Sequence, residues 1–559
     1  MSPRPDDPET AKTLETTRGA PVDVPLVLPD GVSLHARLWC PPEGRGPWPA
    51  LLMRQPYGHA IASTVTYAHP SWWASHGFLV VVQDVRGQGA SGGTFEGFAQ
   101  ERADTSATLT WLRNLAACNG RVGLYGFSYQ GFTQLVAEPD SDPPDCLAPA
   151  MTGLNERDHW SCEGGAHWWH LGLGWGLQLA GLQARRRGDA EAWRCIRACL
   201  EDNRHCRDGL SLLQRHDADG MALRWLESRA DNDDAWTIHT TPESWLRRPM
   251  LLTGGWWDPH LRGVLDLYQQ SRAAGGDPDL VIGPATHLQW WPEAQRLHLN
   301  FFQRHLLQGQ GDNNTPSPPN PGMGTAALWD QCAGSWSEQE IHECRGGDWR
   351  LQGSSLACHD PDNGRLIPVD AMSTTAPQPQ DGRLVIVHDP WRAVPAVGGH
   401  LSPSAGPCDR RAIDARGDVA TFTSAPLMSP LKLRGRPHLR LEAWADQPGF
   451  DLCVALSVCP AGTAQVNQLS TGIRRVIGDQ CRQASPYDVE LQGLEAQLNV
   501  GDRLRVSVAG ACWPAIAINP GTGDHRCGPP SISCRVISIN LNLLDAGLHF
   551  SPLVDAPES

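Results

Sequence analysis

The first regular pattern along the chain is an alternation of apolar and polar residues on both sides of a turn at Asp30-Gly31. This period of two, with β-branched residues on either side, predicts an antiparallel hairpin. Two runs that are apolar almost throughout follow, "PALLMRQPYG" (Pro49–Gly58) and "GFLVVVQDVRG" (Gly77–Gly87). Short apolar runs that end in turn residues are typical of strands buried on both faces.

Helix-like and strand-like stretches alternate in what comes next. Apolar residues at helical spacing predict helices over Tyr67–His76 and Gln100–Leu115, and "RVGLYGFSYQG" (Arg121–Gly131) is a strand that breaks at glycines. The alternation returns later in "PMLLTGGWWD" (Pro249–Asp258) and "DLVIGPATH" (Asp279–His287). Strands and helices that alternate in this way predict a parallel sheet covered by helices.

A polar, Arg-rich helical stretch interrupts this pattern, and a β-rich region follows it. We expect residues 20–154 and 241–310 to form the parallel-sheet domain, with residues 155–240 inserted as a helical cap. Residues 311–324 lie in a run rich in Gly, Pro, Asn and Ser, which is the composition of a linker. In residues 325–559, short strand-like runs such as "GRLVIVHD" and "HLRLEAWA" recur between turns and predict a β-sandwich or jelly roll.

Composition narrows the class of protein. The chain has 46 Lys and Arg against 61 Asp and Glu, so it lacks the basic surplus that binds nucleic acid, and we expect no such partner. We find neither a secretory signal nor a run of the ~18 apolar residues that a membrane helix needs, which favours a cytoplasmic protein with no membrane partner. The 17 cysteines are then expected to be free thiols. Whether the chain forms a homo-oligomer stays open.

Two patterns invite comparison with metal and cofactor sites. The group Cys195, Cys199 and Cys206, with His205, has a spacing that fits no standard zinc pattern, so we expect no metal. The segment "GQGASG" (residues 87–92) has the pattern G-x-G-x-x-G, but it does not open a helix, as a dinucleotide site requires. We therefore expect no cofactor, and we expect these glycines to shape a loop.

A third pattern carries chemistry. The segment "GFSYQG" (residues 126–131) contains G-x-S-x-G directly after a predicted strand, which is the context of a nucleophile elbow around Ser128. The turn exposes the serine hydroxyl and makes the N–H of Tyr129 available to an oxyanion. A serine hydroxyl is a poor nucleophile near neutral pH, so it needs a base and a carboxylate that orients the base.

Those partners follow in the order that an α/β-hydrolase requires, serine, then acid, then histidine. Asp258 and His287 each follow a predicted strand, and sites in parallel sheets gather at the carboxyl ends of strands. We therefore predict a triad of Ser128, Asp258 and His287. Tyr57 also follows a predicted strand, and its phenol could equally pack at the strand end or donate to the oxyanion.

At this point the sequence resembles the CocE/NonD hydrolases, the family of cocaine esterase, α-amino acid ester hydrolases, glutaryl-7-aminocephalosporanic acid acylases and S15 X-prolyl dipeptidyl aminopeptidases. The segments "RQPYG", "VVVQDVRGQGASGG", "GFSYQG", "GGWWD" and "GPATH" look like its motifs, and "DPWRAVPAVGG" and "NPGTG" resemble those of its jelly roll. The resemblance runs from about Asp30 to Asn542. It implies an α/β-hydrolase fold with a helical cap and a C-terminal, galactose-binding-like jelly roll.

The resemblance also assigns roles. It implies that Ser128 is the nucleophile, His287 the base and Asp258 the acid, with Tyr57 and the Tyr129 N–H as the oxyanion hole. The expected function is hydrolysis of a small ester or amide, or of a short peptide, through an acyl-enzyme. Several tryptophans near the motifs are candidates to line a pocket for a bulky or aromatic acyl group: Trp72, Trp73, Trp160, Trp256, Trp257 and Trp290.

Two alternatives stay open. An X-Pro dipeptidyl aminopeptidase or an α-amino acid ester hydrolase would need a site for a free amine, for which Glu156, Asp158 and Glu163 are candidates, although a solvated surface explains them as well. A non-catalytic binding scaffold that uses the jelly roll is the remote alternative, since binding alone does not require the three predicted triad residues.

Overall fold

The computed structural model describes residues 20–60, 66–307, 325–354, 360, 363–371, 382–525 and 528–556. The predicted linker at 311–324 lies outside these residues. Within the described ranges, no helix is both long enough and apolar enough to cross a bilayer.

A ten-stranded sheet forms the first part of the molecule. The predicted hairpin is present as its antiparallel first pair, and the strands from the third to the ninth position all run parallel. In spatial order the strands are Val22–Val27, Ser33–Trp39, Leu79–Asp84, Trp48–Gln55, Cys118–Phe127, Cys146–Ala150, Leu251–Trp257, Asp279–Thr286, Thr325–Asp330 and Ser335–Glu340.

Helices cover both faces of this sheet, as the alternating pattern predicts. Glu101–Arg113 and Leu261–Ala273 pack on one face, and their apolar residues share a core with Leu52, which points to that side. Pro70–Ala74 and Ala294–Leu306 pack on the other face. The result is the three-layer α/β-hydrolase architecture, with the carboxyl ends of the parallel strands at one edge.

The last two strands of the sheet correct the predicted domain boundary. We expect residue 325 to open the β domain, but Thr325–Asp330 pairs in parallel with Asp279–Thr286, and Ser335–Glu340 continues the sheet antiparallel. The first domain therefore continues to residue 340. A short apolar run after a linker carries no information on which sheet it joins, so the sequence pattern could not settle this point.

The inserted segment is helical, as predicted. The Arg-rich part of the segment is not one continuous helix, because Gly188 ends the first helix with φ 73° and Asp189 accepts a capping hydrogen bond for the next. The main helices of the segment are Trp169–Arg187, Ala190–Glu201, His205–His216 and Met221–Glu227. A short hairpin of Cys162–Glu163 with Ala166–His167 precedes them.

The C-terminal part is an eleven-stranded sheet that nearly closes on itself. Its two end strands approach each other at a bridge between Gly472 and Leu491, and its apolar residues form a second core, so the domain is jelly-roll-like. The strands are, in chain order, Trp349–Gln352, Arg365–Pro368, Arg383–His388, Val419–Ser424, Leu431–Ala445, Gly449–Cys459, Asn467–Ile477, Ser485–Glu490, Leu494–Leu498, Arg503–Ala509 and Ile537–Ser551.

The end of the chain returns to the first domain. Leu553 and Val554 belong to the core under the ten-stranded sheet, which also contains Ile341. The carbonyl of Val554 accepts a hydrogen bond from His342 Nδ1 at 3.1 Å. The hydrophobic core of the first domain is therefore completed by residues that follow the last strand of the jelly roll in the sequence.

Candidate active site

Ser128 lies in a sharp turn between the strand Cys118–Phe127 and the short helix Tyr129–Phe132. Its backbone has φ 58° and ψ −128°, a conformation that costs a non-glycine residue about 1–3 kcal/mol. The turn is also tight, since a Cβ on Gly131 would lie 2.8 Å from Thr152 Cγ2. A strained serine flanked by a required glycine is the geometry of a nucleophile elbow.

Asp258 and His287 come together at the same edge of the sheet. Asp258 follows the strand Leu251–Trp257, and His287 follows the adjacent strand Asp279–Thr286. His287 Nδ1 lies 2.6 Å from Asp258 Oδ2, and the Asp258 side chain is fully buried. A carboxylate in this position holds the proton on Nδ1 and leaves the Nε2 lone pair available as a base.

The aspartate is itself held in place. Its Oδ1 accepts the His260 N–H at 2.9 Å, and its carbonyl accepts from Gln492 Nε2 at 2.8 Å. The His287 ring packs against Phe127, with centroids 5.2 Å apart, so the base lies beside the turn that carries Ser128. The structure thus places the pair of Asp258 and His287 beside the turn that carries Ser128.

Tyr57 points its phenol at the inserted helices. Its oxygen accepts a hydrogen bond from Trp175 Nε1 at 3.2 Å, and Trp175 lies on the helix Trp169–Arg187. Burial raises the pKa of Tyr57 to about 12, so the phenol keeps its proton near neutral pH. Because its oxygen already accepts from the indole, its own O–H can be donated to a substrate oxygen.

Tyr129, the residue after Ser128, offers a backbone N–H donor and has a side chain that is hydrogen-bonded in the core. As the first residue of its helix, it has an N–H with no acceptor inside the helix. Its phenol donates to Glu101 Oε1 at 2.8 Å, and Glu101 forms a buried ion pair with Arg54 at 2.8 Å. The buried ion pair of Arg54 and Glu101 therefore holds the Tyr129 side chain, and with it the turn of Ser128, in place.

Replacing Glu101 by glutamine tests how much this ion pair stabilises the fold. The side chains of Arg54 and Glu101 are 2% and 1% exposed, so the substitution leaves the guanidinium buried without a counter-charge. We expect the free energy of unfolding to fall by about 3–5 kcal/mol, measured by urea denaturation. Glu191→Gln, at an exposed helical position, is the matched control and should change it by less than about 0.5 kcal/mol. Equal stability of the two variants would contradict the assignment.

Two family models match the chain. The model of the X-Pro dipeptidyl-peptidase (S15 family) matches residues 30–289, and that of the X-Pro dipeptidyl-peptidase C-terminal non-catalytic domain matches residues 265–547. The second match spans half of the chain. The chain belongs to the X-Pro dipeptidyl-peptidase S15 family. It is therefore a hydrolase, and the expected resemblance to CocE/NonD proteins is confirmed.

This S15-family hydrolase is similar to proteins with different named activities. It is 27% identical over 556 residues to a cocaine esterase from Rhodococcus sp. (strain MB1 Bresler), covering 90% of this chain and 92% of that protein. An aminopeptidase from a marine sediment archaeon, Thaumarchaeota archaeon, shares the fold with a TM-score of 0.71 at 18% identity, covering 98% and 97% of the two chains. An α-amino acid ester hydrolase has a TM-score of 0.66 at 18% identity, covering 96% and 97%.

Three of the six predicted pocket tryptophans of the S15-family hydrolase are placed elsewhere. Trp73 has no exposed surface and packs against Tyr125, with centroids 5.6 Å apart, so it belongs to the core. Trp256 is buried, and its Nε1 donates to the carbonyl of Trp329 at 2.7 Å. Trp72 packs on its own helix and the turn that follows it, against Trp73 and His76. These three side chains do not line the site.

The other three tryptophans lie close to the candidate residues. Trp257 directly precedes Asp258. Trp160 packs on His260 at 4.5 Å between centroids, and Trp290 packs on Phe127 at 5.8 Å. Trp160 therefore flanks the candidate site from the inserted segment, and Trp290 flanks it from the loop after His287.

Sequence reasoning missed two residues of the S15-family site. Trp175, the partner of Tyr57, is one of many tryptophans in the chain, and nothing in its surroundings distinguishes it. His260 follows Asp258 by two residues, which was the available signal. Its ring lies 4.9 Å from that of His287, and its Nδ1 lies 2.6 Å from the carbonyl oxygen of His159. Burial lowers the pKa of His260 to about 4, so the ring is neutral and presents Nε2 as an acceptor.

The glycine-rich segment forms a loop, as expected. Asp84 accepts the Ala90 N–H at 2.7 Å, and a Cβ on Gly89, whose φ is 54°, would lie 2.1 Å from Asp84 Oδ2. The inserted helices fasten onto this loop. Gln183 Nε2 donates to the Gly87 carbonyl at 2.7 Å, and Arg186 Nη1 donates to the Gly89 carbonyl at 2.8 Å.

Buried histidines make the S15-family hydrolase sensitive to acid. Burial lowers the pKa of His298, as of His260, from 6.5 to about 4. Between these pH values the unfolded chain binds protons that the folded chain does not, so stability falls as the pH is lowered from about 6.5 towards 4. Each group contributes up to about 3 kcal/mol to that loss.

The variant His298→Gln isolates one of these groups. Glutamine cannot take up the proton, so we expect the free energy of unfolding to depend less steeply on pH between 6.5 and 4.5, measured by urea denaturation at both values. An unchanged slope in His298→Gln would refute the assignment.

Proposed function

We propose that this chain is a serine hydrolase that cleaves acyl esters through Ser128, His287 and Asp258. The observation that carries the proposal is the 2.6 Å contact between His287 Nδ1 and Asp258 Oδ2 beside the strained turn of Ser128. The similarity to a cocaine esterase over most of both chains supports an ester as the substrate.

In the first half of the reaction, His287 Nε2 takes the proton of the Ser128 hydroxyl while Oγ attacks the ester carbonyl. The carbonyl oxygen becomes an oxyanion, which accepts hydrogen bonds from the Tyr57 phenol and the Tyr129 N–H. Asp258 stabilises the imidazolium without taking its proton. When the C–O bond breaks, His287 donates the proton to the leaving alcohol, and the acyl group remains on Ser128.

In the second half, His287 removes a proton from water, which attacks the acyl-enzyme and passes through a second oxyanion at the same donors. Collapse of this intermediate releases the carboxylic acid and returns the proton to Ser128. In this scheme, side chains move every proton, and side chains and backbone N–H groups stabilise every charge that forms.

The substrate is proposed to be a small ester with a bulky or aromatic acyl group. Rings on several sides of the site support this: Trp160 and Trp175 stand 6.0 Å apart between centroids, and Phe127 and Trp290 lie on the side of His287. A panel of p-nitrophenyl esters from acetyl to benzoyl tests it, with the highest kcat/KM expected for the aromatic acyl group. Fastest turnover of the acetyl ester would refute it.

A fluorophosphonate probe tests the mechanism directly. We expect it to label the native protein on Ser128 and to leave folded Ser128→Ala unlabelled, as read by intact mass. Ser106→Ala, which removes a hydroxyl on the helix Glu101–Arg113, is the matched control and should label like the native protein. Labelling of Ser128→Ala, or no labelling of the folded native protein, would refute the proposal.

A second candidate is an aminopeptidase that removes X-Pro dipeptides. The match to the S15 peptidase model favours it, and so does a cavity of about 380 Å³ beside Pro259, the residue after Asp258. Carboxylates that could hold a free amine line this cavity, with two arginines among them: Asp158, Glu163, Asp488, Glu490, Arg262 and Arg474. Cleavage of a Gly-Pro arylamide but not of its N-acetyl form would support this candidate over the esterase.

A further inference from the structure

Three metal-ligating side chains meet in the inserted helices, and the proposed catalytic residues are not among them. His170 Nδ1 lies 2.9 Å from His205 Nε2 and 3.8 Å from Cys206 Sγ. The three ligand atoms all lie within 4.8 Å of one another. We name this group the His–His–Cys cluster.

These separations match those of a tetrahedral zinc site. With Zn–N of about 2.0 Å and Zn–S of about 2.3 Å, tetrahedral ligands lie about 3.3 Å apart for two nitrogens and about 3.5 Å apart for nitrogen and sulfur. The two distances from His170 Nδ1, 2.9 and 3.8 Å, lie close to these values, and the third pair lies within 4.8 Å.

The backbone around the cluster is fixed. His170 lies in the first turn of Trp169–Arg187, and His205 and Cys206 open His205–His216. The two helix starts are joined, because Trp169 Nε1 donates to the Cys206 carbonyl at 2.8 Å. Ligands on two tethered helices lose little freedom when they bind an ion.

One ring nitrogen of the cluster is unsatisfied. His205 is buried, and its Nδ1 has no hydrogen-bond partner among the residues that the structure describes. Among these residues, no acceptor at Nδ1 and no donor to it therefore fixes the ring tautomer, so Nε2 can present its lone pair to an ion. If Nε2 binds the ion, Nδ1 carries the proton of the neutral ring.

The spacing of Cys195, Cys199, His205 and Cys206 predicts no metal, but it does not include His170, which the fold brings to His205 and Cys206. We propose that His170 Nδ1, His205 Nε2 and Cys206 Sγ bind one Zn²⁺, with a water molecule as the fourth ligand. Thiolate and imidazole are the donors that Zn²⁺ prefers, and His170 and Cys206 are partly exposed, which gives water access. On binding, the Cys206 thiol releases its proton to solvent, and each imidazole keeps one proton on its outer nitrogen.

A second group in the jelly roll has a similar composition but is already engaged. His438 Nδ1 lies 3.0 Å from Asp488, and its Nε2 lies 3.0 Å from Ser551 Oγ. Asp488 also accepts from Arg440. Zinc would have to displace these partners, so we do not expect this group to bind the ion, and we use it as the control.

Calorimetry with ZnCl₂ on the full, reduced chain tests the proposal. We expect one Zn²⁺ per chain and at least a ~100-fold loss of affinity in Cys206→Ser and in His170→Gln, since losing even an outer partner of a ligand costs 10–100-fold. Cys195→Ser, a thiol on the adjacent helix, and His549→Gln, in the jelly-roll group, should bind like the native chain. With Co²⁺, a thiolate charge-transfer band should form in the native chain and in both controls but not in Cys206→Ser.

Thermal unfolding distinguishes a loss of zinc binding from a failure of the variant to fold. Without metal, Cys206→Ser should unfold at the temperature of the native chain, and added Zn²⁺ should raise that temperature only where Cys206 is present. Several results would overturn the proposal: no binding by the folded native chain, binding unaffected in Cys206→Ser, or binding lost in His549→Gln alone.

Discussion

In the variant Asp258→Asn, kcat for an activated ester should fall by about 10⁴-fold while the protein stays folded. The carboxylate accepts from His287 Nδ1 at 2.6 Å and so fixes both the tautomer and the orientation of the ring. An amide that presents its NH₂ group to Nδ1 favours the tautomer with the proton on Nε2, which cannot accept the serine proton. Steady-state kinetics with a p-nitrophenyl ester, together with circular dichroism, measure the effect.

An aspartate at the opposite edge of the sheet supplies the matched control. Asp277 precedes the strand Asp279–Thr286, whose other end leads to His287, and it pairs with Arg272 at 2.7 Å. Asp277→Asn therefore makes the same chemical change at the amino end of the strand, remote from Asp258. Its kcat should remain within about twofold of the native value, since surface substitutions usually change stability by less than ~0.5 kcal/mol. An Asp258→Asn enzyme within tenfold of the native rate would show that this aspartate does not orient the base.

Replacing Tyr57 by phenylalanine should lower kcat by about 10²–10³-fold and leave KM nearly unchanged. The phenol stays protonated, because burial raises its pKa to about 12, and its hydrogen bond strengthens only when the carbonyl oxygen becomes charged. The comparison of kcat with KM separates this role from one in substrate binding, which would raise KM instead.

Tyr67→Phe is the control for the loss of a buried phenol. Tyr67 is buried on the other face of the sheet and packs against Tyr125, with centroids 5.6 Å apart. This variant should lose stability but keep kcat when it is assayed well below its unfolding temperature. If both variants lost activity equally, the effect of Tyr57→Phe would be structural, and the oxyanion role would be refuted.

Much of the fold and the three central residues of the candidate site could be predicted, because short stretches of sequence are enough to show them. Buried parallel strands are marked by short apolar runs, and the residue after such a strand lies at the sheet edge where sites form. This places Ser128, Asp258 and His287 at one edge without knowledge of the strand order. The hairpin around Asp30-Gly31 is equally local, since a turn and two alternating runs define it.

The rest depends on contacts between distant parts of the chain. The identity of Trp73 and Trp256 as tryptophans does not show whether they face a packed helix or a pocket. Trp175 meets Tyr57 across 118 residues, and His170 meets His205 across 35 residues, because two helix starts are tied together. Such meetings are set by tertiary packing, which hydrophobic periodicity does not encode.

The path of the chain through the first sheet has a consequence for how the protein is made. The strand Asp279–Thr286 gains its second neighbour only when residues 325–330 have been synthesised, and the core below it gains Leu553 and Val554 more than 200 residues later. The nascent hydrolase domain therefore leaves the ribosome with an open strand edge and an incomplete core, both of which favour aggregation. A fragment that stops at residue 310 would keep both defects, so we expect it to aggregate more readily than the longer chain.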